Sequence, residues 1–184
     1  MSNNNLSNKV AVVTGGADGI GEGIARTLWA RGARVIIADI QEEKGEALAD
    51  ELGVNASFAL LDVTDPSSWE RLVAELQSSP GRLDILVNNA GGGGFGNLDQ
   101  LTIEEWRKIM ALNMDSVFLG CKAASALLQA DGGGSIINIS STNANRAWPM
   151  FSGYCAAKAG MTMFSKCVAQ HFLETTAKVR CNTV

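Results

Sequence analysis

With 184 residues, 46% of them hydrophobic and 18% charged, the chain has the composition of about one soluble globular domain able to bury a proper core. Its net charge of −4 and pI near 5.0 exclude the basic stripe of a nucleic-acid footprint, and no apolar run reaches membrane-spanning length. The polar, Asn-rich stretch from Met1 to Asn8 lacks the charged and apolar regions of a signal peptide, so it reads as a flexible tail on a cytoplasmic protein.

From residue 9 onward, strand and helix patterns alternate. Lys9 to Thr14 reads as a buried strand, and Ile20 to Ala30 carries apolar residues at helical spacing. Between them, Thr14-Gly15-Gly16-Ala17-Asp18-Gly19-Ile20-Gly21 leads a strand into a helix N-terminus, where free N–H groups and the helix dipole favour a pyrophosphate. Glycines also mark ordinary tight turns, so this stretch alone does not define a site. The second strand, Arg34 to Ala38, ends in Asp39, eighteen residues beyond Gly21, where a dinucleotide fold places the acid that binds the adenosine ribose. Asp39 is equally placed to cap the helix that begins at Gln41, and the two roles are compatible. A 2′-phosphate would meet Asp39 and Asp18 with no cation at Ala17 or Ile40, which favours NAD over NADP.

The helix from Gln41 to Leu52 presents a solvated acidic face. A third strand around Phe58 to Leu61 ends at Asp62-Val63, and Thr64-Asp65-Pro66 opens the next helix with Pro near its first turn. A fourth strand, Leu83 to Val87, runs into Asn88-Asn89-Ala90-Gly91 and a freely bending loop through Gly96. One long helix is expected from Ile103 to Leu128, with Trp106, Ile109, Met110, Asn113, Val117, Cys121 and Ala124 on one face. Asn113 is polar in that apolar stripe, so it is either a buried amide that must find partners or a surface residue. After a turn at Asp131 to Gly134, the apolar strand Ser135 to Ser140 is closed by Ser141. Trp148 and Phe151 in the following loop either meet a hydrophobic substrate or pack in the core or a subunit interface. The last helix runs to about Thr175, and Lys178 to Val184 forms a sixth strand.

The chemistry concentrates at Tyr154 and Lys158. Residues four apart lie on one helix face, one turn from each other. A free phenol has a pKa of ~10, so Tyr154 needs a nearby positive charge to work as an acid or base near neutrality, and Lys158 can supply it. Ser141, thirteen residues upstream, stands at a strand end, where open α/β sheets bind ligands. The four cysteines and the single His171 have no metal-ligand or Cys-x-x-Cys spacing, so no metal is expected. Cys155 lacks a histidine partner in its motif and reads as a small buried residue.

Asn-Ile-Ser-Ser followed at this interval by Tyr-x-x-x-Lys resembles the active-site signature of the short-chain dehydrogenase/reductase family, and the Thr-Gly-x-x-x-Gly-x-Gly turn and Asn-Asn-Ala-Gly are similar to its other motifs. The resemblance implies a catalytic set of Asn113, Ser141, Tyr154 and Lys158. Asn113 would help hold a relay water, Ser141 would bond the substrate oxygen, Tyr154 would pass the proton, and Lys158 would hold the ribose. It implies cofactor contacts from Gly15, Asp18, Gly19, Ile20 and Gly21 at the turn, Asp39 and Ile40 at the ribose, Asp62 and Val63 at the adenine, and Asn89, Ala90, Gly91, Tyr154 and Lys158 further along. The expected function is hydride transfer between NAD(H) and an apolar secondary alcohol or ketone. A non-catalytic NAD-binding protein is the alternative, because family members continue past the sixth strand.

Alternating strands and helices with right-handed crossovers predict an α/β, Rossmann-type, doubly wound parallel sheet of six strands in the order 3-2-1-4-5-6. This would be one domain over residues 9–184, expected to be part of a longer protein because the sixth strand would otherwise be an unpaired edge. Apolar residues on the two long helices, including Leu112, Phe118, Leu119, Met161, Met163, Phe164 and Phe172, predict a homodimer or homotetramer.

Overall fold

The computed structural model describes residues 6–130, 132–175 and 177–184. The expected tail lies mostly outside them, as does Asp131 of the expected turn. Leu6, at the tail's end, is tied down: its amide donates to Arg31 O at 2.8 Å.

The elements follow the chain as β1 (Val10–Thr14), α1 (Gly19–Ala30), β2 (Arg34–Asp39), α2 (Glu42–Leu52), β3 (Ala56–Leu60), α3 (Pro66–Ser78), β4 (Ile85–Asn88), α4 (Ile103–Met110), α5 (Ser116–Ala130), β5 (Ser135–Asn138), α6 (Ser152–Glu174) and β6 (Arg180–Thr183). All strand pairs are parallel, in the expected order β3-β2-β1-β4-β5-β6. Helices on both faces explain why β1 and β2 are nearly unbroken apolar runs: every residue of β1 is buried. On one face Val12, Leu86 and Ile136 pack with Trp69, Leu128 and Phe172; on the other Val13, Val35 and Ile37 pack with Ala25 and Leu48.

Local chemistry sets the helix starts. Asp65 accepts from Ser67 N at 2.9 Å and Pro66 occupies the first turn of α3, while Thr102 and Glu105 form a reciprocal capping box on α4. Asp84, 4% exposed, joins the approaches to β1 and β4 by accepting from Val10 N at 2.9 Å, Lys9 Nζ at 2.8 Å and Arg82 Nε at 2.9 Å. Burial pushes its carboxyl up, but the bonds from Arg82, Lys9 and Val10 outweigh that and hold it below the ordinary value.

Two expectations are corrected. The helix expected from Ile103 to Leu128 is interrupted by a π-turn over Ala111–Asp115, where Ser116 N reaches back five residues to Ala111 O. Apolar spacing continues through that turn, so periodicity alone does not register it. Ser141 does not close β5, which ends at Asn138; it caps a short 3₁₀ turn, Thr142–Ala144, by accepting from Asn143 N at 3.1 Å.

Candidate active site

The turn between β1 and α1 is held from three sides. Asp18 caps α1 by accepting from Gly19 N at 2.7 Å. Asn89, beyond the end of β4, donates its side-chain amide to Thr14 O at 2.9 Å and Gly15 O at 3.1 Å, and its N–H and that of Ala90 each reach Thr14 Oγ1 at 3.0 Å. Asp39, 5% exposed, accepts from Ala17 N and Gln41 N, both at 3.0 Å, so one carboxylate braces the glycine turn and the start of α2 together. Gly21 is dictated by packing: a Cβ there would stand 1.9 Å from Gly15 O. Its absence lets α1 seat directly on the turn.

At the other end, Tyr154 and Lys158 lie one turn apart on α6, with Lys158 Nζ 5.6 Å from the centre of the Tyr154 ring. Lys158 is 4% exposed and donates to Ile139 O at 2.8 Å. Burial lowers its pKa to about 8. The surface alternative for Asn113 is excluded: it is fully buried in the π-turn, donates to Gly92 O at 2.9 Å and Ile109 O at 3.0 Å, and accepts from Gly92 N at 3.1 Å. A Cβ on Gly91 would lie 2.9 Å from Asn113 Oδ1 and 3.4 Å from Lys158 Nζ, so this glycine sits between the two polar groups.

A cleft of about 480 Å³ connects these ends. Of the expected residues its walls include Gly15, Asp18, Ile20, Gly21, Asp39, Ile40, Asp62, Val63, Asn89, Ala90, Gly91, Tyr154 and Lys158. Gly19, Asn113 and Ser141 are not on them. Asn113 borders a smaller neighbouring cavity with Gly92 to Phe95, and Ser141 remains near α6 because that helix packs on the turn it caps. Sequence reasoning did not single out Gln41, Leu61, Gly92, Leu112, Ile139 and Ser140, which also line the cleft. For Gln41, Gly92 and Leu112 adjacency to a motif or a singled-out residue was a usable signal, and Ile139 and Ser140 belong to the Asn-Ile-Ser-Ser motif itself. Ser140 Oγ hydrogen-bonds Thr162 Oγ1 at 2.9 Å, placing a second hydroxyl where Ser141 had been expected.

The sequence offers no cation at Ala17 or Ile40, but the fold brings one to Asp18 from further along the chain. Lys44 of α2 approaches it at 2.6 Å and lowers its pKa through that hydrogen bond. Both side chains are more than half exposed, so solvent screens the pair, and the acidic character of this end rests on the buried Asp39. Beyond the Tyr154 end, Phe151 meets Phe95 edge-on at 5.4 Å and Trp148 at 6.2 Å between ring centres, with Phe95 and Trp148 largely exposed.

Lys158 makes a stability prediction. Its folded pKa of about 8 lies below the ordinary 10.5, so the unfolded chain binds more protons between those values and stability rises with pH across that window. The slope approaches about 1.4 kcal/mol per pH unit within it. Urea denaturation at pH 7.5 and 9.5 should show this gain in the unaltered chain and lose it in Lys158→Met; equal gains would refute the assignment.

The fold and this cleft define a doubly wound α/β protein with a Tyr/Lys pair at the far end of the groove from its glycine turn. The chain belongs to the short chain dehydrogenase family, whose sequence profile matches residues 9–184. Members of that family are oxidoreductases that use nicotinamide cofactors. It is 40% identical over 184 residues to a 2,5-dichloro-2,5-cyclohexadiene-1,4-diol dehydrogenase of Sphingobium indicum, covering 98% of this chain and 73% of that protein. It is 35% identical over 181 residues to a 3-beta-hydroxysteroid dehydrogenase of Comamonas testosteroni, covering 98% and 71%. With a 3-oxoacyl-acyl-carrier-protein reductase of Escherichia coli it shares 40% over 166 residues, covering 90% and 68%. Among the described residues no helix is long and apolar enough to cross a membrane, and no cluster of ligands could hold a metal ion.

Proposed function

We propose that the protein is an NAD(H)-dependent oxidoreductase of apolar secondary alcohols and ketones, with Tyr154 as general acid/base. The observation that carries this reading is that Tyr154 and Lys158 share one cleft with the glycine turn and Asp39. A dinucleotide fits these residues: Gly15, Ile20 and Gly21 line the cleft where α1 opens on the turn, and Asp39 supplies a carboxylate for ribose hydroxyls. Gly15, Ile20 and Gly21 would hold the pyrophosphate, Asp39 the ribose, Asp62 and Val63 the adenine side, and Lys158 the second ribose. The bound cofactor supplies or accepts hydride.

This chain's residues handle the proton. In the reducing direction Tyr154 Oη donates to the substrate oxygen. The Lys158 ammonium, which keeps its proton below about pH 8, offers the charge against which negative charge on Tyr154 can develop. Ser141 or Ser140 orients the substrate oxygen, and Asn113, buried beside Gly91 and Gly92, holds that stretch of the cleft and the relay behind Lys158. The exposed rings of Phe95 and Trp148 around Phe151 favour a flat apolar substrate. Two relatives named for ring-bearing alcohols agree with that choice.

The direct test is reduction of a panel of cyclic ketones with NADH and NADPH side by side. NADH should give the higher kcat/KM, and Asp39→Ala should narrow the difference. A preference for NADPH would overturn the cofactor assignment, and tight NADH binding without turnover of any ketone would favour the non-catalytic alternative.

We also propose association through α5 and α6. Met161 and Phe172, counted on sequence as interface candidates, instead fill the chain's own core at 0% and 2% exposure. Phe118 and Met163 remain exposed, and Phe118, Phe164 and Phe172 line an open groove between the two helices. Sedimentation should show a homodimer or homotetramer; a clean monomer that turns over ketone would defeat this proposal.

A further inference from the structure

We propose that Thr162 is a positioning residue: its hydroxyl, bonded to Ser140 on one side and to the main chain of Lys158 on the other, holds the lysine where its ammonium serves Tyr154. This inference rests on Tyr154 as the acid/base. Tyr154, Lys158 and Thr162 follow one another at four-residue steps, so they share one face of α6 on successive turns. Thr162 Oγ1 donates to Lys158 O at 2.9 Å and lies 2.9 Å from Ser140 Oγ. A threonine hydroxyl has a single proton. Because that proton goes to Lys158 O, the Ser140 hydroxyl is the donor in the second bond, and the chain of bonds runs from Ser140 to Thr162 to Lys158.

These bonds close a ring around the lysine. Its ammonium donates to Ile139 O at 2.8 Å and its own carbonyl receives the Thr162 proton, so both ends of Lys158 are tied to two consecutive residues just past β5, Ile139 directly and Ser140 through Thr162. Ser140, Tyr154 and Lys158 line the cleft, and Thr162 acts from behind them. Among the described residues Lys158 has no ion-pair partner; the Tyr154 ring, Ile139 O and Gly91 are what surround its Nζ. With no carboxylate to hold it, the ammonium is placed by hydrogen bonds and packing. Cutting the bond between Ser140 and Thr162 leaves the fold in place, because Asn138 Nδ2 still donates to Ser165 Oγ of α6 at 2.8 Å. The loss is local to the turn that carries Lys158.

Burial lowers the Lys158 pKa to about 8, and an ammonium that slips from its seat toward water returns toward the ordinary 10.5. Folded and unfolded chains then bind protons more nearly alike, so the rise of stability with pH across that window shrinks. A threonine that merely supported the fold would lower stability equally at every pH. Reduction draws on the Lys158 charge, so it falls above about pH 8 in the unaltered chain, and the fall moves to higher pH when Lys158 is released. Asp18, Asp39 and Asp62, the other titratable residues on the cleft walls beside Tyr154 and Lys158, stay the same in every variant.

Thr162→Val keeps the branched shape and deletes the hydroxyl, whereas Thr162→Ser keeps the hydroxyl and deletes a methyl. The cofactor-free chains are unfolded in urea at pH 7.5 and 9.5, and reduction of a cyclic ketone by NADH is followed as kcat and KM across pH. Thr162→Val should lose about half or more of the pH-dependent gain in stability. It should also lower kcat by about 3–10-fold, keep KM for NADH within a factor of about three, and move the alkaline limb upward. Thr162→Ser should restore all of these. Equal losses of stability at the two pH values in Thr162→Val would overturn the proposal, as would a Thr162→Ser chain as impaired as Thr162→Val. If Thr162→Val does not fold, Ser140→Ala removes the same bond from the other side and must show the same reduced gain. Tyr154→Phe is measured alongside. Undiminished turnover there rejects Tyr154 as the acid/base, and the urea comparison, which needs no turnover, still decides whether Thr162 places Lys158. Lost turnover there, with kcat and the alkaline limb unchanged in Thr162→Val, rejects the role of Thr162 alone.

Discussion

Replacing Tyr154 with Phe is expected to lower ketone turnover by about 10²–10⁴-fold while leaving NADH affinity within a factor of about three. The substitution removes one oxygen and keeps the ring, so the half-buried aromatic body beside Lys158 is preserved. The proton donor is lost. A fall confined to kcat, with unchanged NADH fluorescence titration, would separate this role from a binding role. Undiminished turnover would rule out Tyr154 as the acid/base, and a parallel loss of NADH affinity would assign it to holding the cofactor.

Gly21→Ala should have the largest effect on binding. The added Cβ would meet Gly15 O at 1.9 Å and Asn89 Nδ2 at 2.6 Å, and the first of these is backbone that cannot rotate away. Either α1 lifts from the turn or the turn itself shifts, at a cost of about 3 kcal/mol or more, the upper end for overpacking. NADH affinity should fall at least tenfold and the melting temperature should drop by several degrees. Gly23, two residues on, supplies the contrast: its Cβ would meet nothing, and Gly23→Ala in the exposed middle of α1 should stabilise the chain by about 0.5–1 kcal/mol. If both alanines behave alike, the close approach at Gly21 is not what makes glycine necessary.

The cleft also explains why stability and chemistry pull apart at Lys158. Its burial costs stability at neutral pH, yet the same position brings a charge beside the Tyr154 ring. The Ile139 carbonyl, just past the end of β5, offsets part of that cost by accepting from the ammonium at 2.8 Å. Lys158 is thus held partly by main chain, whose position depends on the β4–β5–β6 pairing.

What the sequence by itself determined is local or periodic. The apolar runs of β1 and β2, the glycines entering α1, Pro66 and the four-residue spacing of Tyr154 and Lys158 are each legible within one or two turns of chain. With right-handed crossovers they suffice to order all six strands. Only the tertiary structure decided the rest, because those features depend on groups distant in sequence. Lys44 reaches Asp18 across 26 positions, Asn113 turns inward because a π-turn replaces one turn of a helix that apolar spacing carries straight through, and Ser140 rather than Ser141 faces the cleft because β5 ends two residues before it. Met161 and Phe172 were apolar on either reading; only the seating of α6 against the sheet assigned them to the core. A sequence pattern fixes which face of an element is apolar, but not what meets that face.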